Sequence, residues 1–107
     1  MTATTKNAPA AVEPRAYPAL RDALRGYLHE DWTTEYADSE DAARAFRREA
    51  GEDEVRAVAS EAKKLRAALA GMEVRDLRKL LGAGFGTGWR PSTAAEADRA
   101  LRVLAGE

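Results

Sequence analysis

The chain has 107 residues, no cysteine, a single histidine and a formal net charge of −1, with 33% of its side chains charged. That length suits one domain, able to bury roughly two-thirds of its unfolded surface, and leaves no room for a second. Without cysteine, a disulfide framework and a thiolate metal cluster are both excluded, so the fold must hold by packing alone.

Residues 1–14, which include Pro9 and Pro14, lack the apolar core of a secretory signal, and no later run approaches membrane-spanning length. The expectation is a flexible N-terminal tail over 1–14, a folded domain over 15–107, and a soluble protein of the cytoplasm with no membrane partner. Charge is placed unevenly along that chain. Residues 1–28 hold four basic and two acidic side chains, residues 29–54 three and ten, and residues 55–107 ten and six. The acidic middle segment has the wrong sign for a phosphate backbone, so direct nucleic-acid binding is not expected of it. It reads either as a solvated face or as a surface for a basic partner.

In chain order, Tyr17, Leu20, Leu24, Tyr27 and Leu28 recur at helical steps, with Pro18 where a first turn tolerates it, which predicts a helix over 18–30. Trp32 to Tyr36 break the rhythm. Asp38 or Ser39 can cap a second helix, with Glu40 and Asp41 in its first turn complementing the helix dipole and Phe46 as its one large apolar anchor; Gly51 ends it. Val55, Val58, Ala62, Leu65, Leu69 and Met72 then follow at spacings of 3, 4, 3, 4 and 3, one continuous apolar stripe on a third helix. Opposite the stripe lie Arg56, Glu61, Lys63, Lys64 and Arg66, and Gly71 marks the C-terminal end. A shorter helix carries Val74, Leu77, Leu80 and Leu81 and stops at Gly82. After a glycine-rich loop, Thr93 and Glu96 have capping-box spacing and open a last helix whose inner face is Ala97, Leu101 and Leu104. No strand-like alternation occurs, so the fold class is all-α, a compact bundle of about five helices around a single core.

Two stretches invite a chemical reading. Gly84-Phe85-Gly86-Thr87-Gly88 has the look of a phosphate cradle, but a P-loop needs a preceding strand and a Lys-Ser/Thr pair, and a dinucleotide site needs a strand-turn-helix unit. Neither context exists, and the loop reads as a mobile or tightly turned connection in which Phe85 and Trp89 fold back onto the core. His29 lies beside Glu30 and Asp31, yet it has no nucleophile, no second histidine and no cysteine to work with. No catalytic residue, metal or cofactor is assigned, and an enzyme is not expected. His29 is instead expected to hydrogen-bond at the end of the first helix.

The run Tyr17-Pro18-Ala19-Leu20, followed by Tyr27-Leu28-His29-Glu30-Asp31-Trp32 and Glu35, resembles the opening of the small all-helical immunity proteins of contact-dependent growth inhibition systems. There a Tyr-Phe-His-Gln-Asp-Trp phrase follows a Pro-x-Leu helix start. Asp38 to Phe46, the stripe from Val55 to Leu69, and Gly84-Phe85 with Trp89-Arg90-Pro91 resemble later parts of the same family, so the match runs from Tyr17 to Leu104. Its specific part is His29, Asp31 and Trp32. Leu28 stands where the family often has Phe, and Glu30 where it often has Gln.

The resemblance implies a non-enzymatic cytosolic protein that binds and neutralises the C-terminal toxin domain of a contact-delivered effector, often a nuclease. A nuclease presents a cationic cleft, which an acidic inhibitor can cover. On that basis Glu30, Glu35, Asp38, Glu40 and Asp41 are expected to belong to or border the toxin-binding surface, with Trp32 or Tyr36 as an aromatic anchor. Tyr27, His29, Asp31 and Trp32 form a family phrase whose expected role is structural. A DNA-binding regulator and a small helical adaptor stay as alternatives. The first is disfavoured by the long Gly-rich separation between its two candidate helices, the second because so short a stripe usually packs in its own domain.

Overall fold

A computed structural model describes residues 12–107. Of the tail predicted over 1–14, residues 1–11 lie outside the described residues, while Val12 packs against the core and Pro14–Ala16 form a 3-10 turn. Five α-helices follow: α1 (Pro18–Tyr27), α2 (Ser39–Glu49), α3 (Glu52–Leu69), α4 (Val74–Lys79) and α5 (Ala94–Ala105). Among the described residues there is no strand. The predicted all-α bundle around one core is the architecture found.

Helix α5 is the centre of the packing, lying against both α2 and α3, while α1 lies on α3 and α2. Small residues make this possible. Helix α2 buries Ser39, Ala42, Ala43, Ala45 and Phe46, and α5 buries Ala97, Ala100, Leu101, Leu104 and Ala105, so α2 and α5 meet through faces made largely of alanine. Helix α3 contributes Val58, Ala62, Leu65 and Leu69, four members of the predicted stripe, and α1 contributes Leu20, Ala23 and Leu24. Phe85 and Trp89 are fully buried, folded back onto the core as expected. Ion pairs then tie the outside: Arg66 on α3 meets Asp98 on α5 at 2.9 Å and also Glu107, and Glu40 on α2 meets Arg99 on α5 at 3.2 Å.

Both predicted caps form. Asp38 accepts the Asp41 N–H at 2.8 Å, and the Asp41 carboxylate accepts the Ala37 N–H in return. At α5, Thr93 accepts from Glu96 N–H and the Glu96 carboxylate accepts from Ser92 N–H, both at 3.0 Å.

Three boundaries differ from the sequence pattern, each for a physical reason. Helix α1 ends at Tyr27 rather than at residue 30, because the Leu28 carbonyl accepts the N–H of distant Gly88 at 2.8 Å and Trp32 N–H turns to His29 instead. Met72 lies beyond α3, since Gly71 at φ +83° reverses the chain and Met72 N–H bonds back to Leu69. The fourth helix does not stop at Gly82. It widens into a π turn over Leu80–Gly84, with Phe85 N–H bonded to the Leu80 carbonyl, and this extra residue per turn swings Phe85 inward.

Glu61 also departs from the solvated face assigned to it. It is half-buried, and its carboxylate accepts the Leu20 N–H at 2.8 Å, satisfying a first-turn donor of α1 from another helix.

Candidate functional site

The segment from Tyr27 to Asp41, the corner that runs from the end of α1 into α2, contains every residue expected at the toxin surface or in the family phrase, and its local bonding follows from the amino acids present. After Leu28 the chain makes a tight turn in which Asp31 N–H donates to His29 Nδ1 at 3.1 Å. The opposite ring nitrogen, Nε2, lies 3.5 Å from a carboxylate oxygen of Glu35. A nitrogen that accepts must be unprotonated, so in neutral His29 the hydrogen sits on Nε2 and faces Glu35. The Asp31 carbonyl accepts both the N–H and the hydroxyl of Thr34, closing the 3-10 turn Trp32–Thr34. His29 and Asp31 therefore act on the backbone of the corner.

Trp32 is half-buried and donates its indole N–H to the Gly88 carbonyl at 3.2 Å. The phrase and the glycine loop, far apart in the chain, thus meet in one place. Beside them runs an aromatic series from core to surface. Buried Phe46 meets Tyr27 edge-on at 5.6 Å, and Tyr27 stacks on Tyr36 at 6.2 Å. The Tyr27 hydroxyl donates to Glu49 at 2.8 Å. Burial, then this bond and the charge of Glu49, push the Tyr27 phenol up to about 12. Tyr36 is raised too, by burial first and then by the nearby carboxylates of Glu49 and Glu35.

The structure divides the acidic candidates into two groups. Asp38 is the α2 cap, Asp41 closes that cap and lies 3.6 Å from Arg44, and Glu40 is engaged by Arg99. These three already work within the fold. Glu35 faces His29, about half of its side chain open to solvent. Glu30 is exposed and makes no hydrogen bond or ion pair to another described residue. Trp32 and Tyr36 are both half-buried. Sequence reading missed two participants. Glu49 joins the aromatic series, a role hinted at only by its place in the acidic segment, and Gly88 was visible only as part of the glycine-rich connection, with nothing to tie it to the corner.

Among the described residues no group of three or more His, Asp or Glu side chains converges to hold a metal ion, and no helix is long and apolar enough to cross a membrane. The arrangement places carboxylates beside half-buried aromatic side chains between α1 and α2. No curated protein and no solved structure matches the chain. The family model described as CdiI immunity protein matches residues 16–97, from the turn before α1 into α5, and the chain belongs to that family.

Proposed function

We propose that this immunity protein neutralises the C-terminal toxin domain of a contact-dependent growth inhibition effector by binding it through the acidic, aromatic side of the α1–α2 corner. Binding takes place in the cytoplasm and requires no enzymatic activity of the chain. The toxin is of the nuclease type, with a cationic cleft that Glu30 and Glu35 face, Trp32 and Tyr36 anchor, and Asp38, Glu40 and Asp41 border. The observation that supports this reading is the gathering of Glu35 and Glu49 around the Tyr27–Tyr36 stack, within a family of toxin-neutralising proteins. Stacked aromatics supply contact area at little entropic cost, and surrounding carboxylates select a basic partner.

Co-expression tests it. Where a large secreted effector is encoded next to this chain, its C-terminal domain, produced inside the cell, should arrest growth, and this chain should restore it. Purified together, the two should form a complex whose nuclease activity is suppressed. Growth arrest that persists despite folded, abundant immunity protein would contradict the assignment to that toxin, and rescue without a physical complex would contradict direct binding.

A further inference from the structure

Gly88 grips the α1–α2 corner from two sides. Its N–H donates to the Leu28 carbonyl at 2.8 Å, and its carbonyl accepts the Trp32 indole N–H at 3.2 Å. Between these two bonds the backbones come so close that a Cβ at position 88 would stand 2.6 Å from Glu30 Cα, 2.8 Å from the His29 carbonyl oxygen and 2.9 Å from Glu30 N. Gly88 is not among the glycines with positive φ, so the position demands glycine for space and not for backbone conformation. The atoms in the way are main chain, which cannot swing aside as a side chain can.

The loop behind Gly88 is itself fixed. Thr87 donates its hydroxyl to the Leu81 carbonyl at 2.6 Å and accepts the Trp89 N–H at 3.0 Å, and Trp89 is fully buried. A continuous line of contacts therefore runs from the core through Trp89, Thr87 and Gly88 to the main chain of Glu30. The Glu30 side chain gives nothing back to the described fold.

We propose that Gly88 is a positioning residue for toxin recognition, holding the His29–Asp31 backbone so that the Glu30 side chain projects toward the toxin from a main chain fixed in place. This rests on the toxin-binding reading above. A pre-set main chain removes the backbone part of the ordering cost of binding, so the effect belongs mainly to complex lifetime. Gly88 touches no toxin atom in this scheme and acts only through the corner.

The test is a double-mutant cycle on binding to the cognate toxin domain, catalytically inactivated and immobilised. Gly88→Ala should weaken binding by about tenfold or more, chiefly through faster dissociation, and the same substitution in a Glu30→Gln background should cost less than about threefold. Equal penalties in both backgrounds, or wild-type binding by Gly88→Ala, would overturn the proposal. If Gly88→Ala does not fold, Thr87→Val carries the same cycle, since it deletes the hydroxyl that ties the loop behind Gly88 to the Leu81 carbonyl and the Trp89 N–H and lies outside the proposed toxin surface; additivity with Glu30→Gln would again overturn it. Failure of the underlying reading looks different. Glu30→Gln alone would then leave affinity unchanged, which removes Glu30 from the binding surface and the proposal with it, whereas a weakened Glu30→Gln with an additive cycle removes the proposal alone.

Discussion

Tyr27 is the residue at which core, surface and charge meet. Its ring packs edge-on to buried Phe46, its other contact is the Tyr36 stack, and its hydroxyl is committed to Glu49. Because burial and a carboxylate acceptor both favour the protonated phenol, folding binds that proton more tightly than the unfolded chain does. The sign of the consequence follows from linkage. The raised pKa contributes stability that is fully present below the ordinary value of 10 and is lost as pH rises toward about 12. Thermal melts between pH 9 and 12 should therefore fall more steeply for the wild type than for Tyr27→Phe, and parallel curves would show that the phenol is not the titrating group. His29 acts differently, on the turn itself. Its ring accepts from Asp31 N–H, so replacement by a residue without an acceptor at that place removes one bond of the corner.

At the level of elements, two carboxylates with similar capping roles differ in how readily a sequence reveals them. Asp38 caps its own helix at the standard spacing, and Glu61 caps α1 from the middle of α3. Asp38→Ala and Glu61→Ala should each lower stability by about 1 kcal/mol in urea unfolding. Hydrogen exchange should separate them, with Asp38→Ala loosening the start of α2 and Glu61→Ala loosening the start of α1 across an interhelical contact. A stability unchanged in Glu61→Ala would show that the Leu20 N–H finds another partner. Only the first cap was visible beforehand, because local spacing encodes it, whereas Glu61 sits on the side of α3 that periodicity assigns to solvent. The same distinction explains the other boundaries. Val58, Ala62, Leu65 and Leu69 follow an internal rhythm and were legible as one buried stripe. The end of α1 was not, because it is set by a hydrogen bond to Gly88. Gly82 reads locally as a stop, yet the packing of Phe85 draws the chain through a π turn instead. In the candidate site, the composition of the corner was legible and its dependence on the glycine loop was not.

Across the whole molecule, the balance of charge is nearly neutral but its distribution is not, and folding sorts the acidic run further by using Asp38, Glu40 and Asp41 internally. Of the candidate toxin-binding carboxylates, Glu30 and Glu35 are left, while Asp31, Glu52, Asp53 and Glu54 of the same run are exposed as well. If the surface of Glu30 and Glu35 steers the encounter, its effect must be local, so variants of equal net charge should differ by place. Glu30→Lys with Glu35→Lys should slow association with the toxin domain by about tenfold or more at low salt. Glu73→Lys with Asp76→Lys changes net charge equally, but at exposed positions just before and within α4, outside the acidic segment, and should slow it much less. Salt supplies the second dimension, since the screening length shrinks from about 10 Å at 0.1 M to about 3 Å at 1 M and long-range steering disappears with it. The association rates of the two double variants should converge as salt is raised. Dissociation of the Glu30, Glu35 variant should stay faster, because direct contacts are lost as well as steering. Equal slowing by both pairs at low salt would assign the effect to net charge, and no slowing by either would remove electrostatic capture from the mechanism.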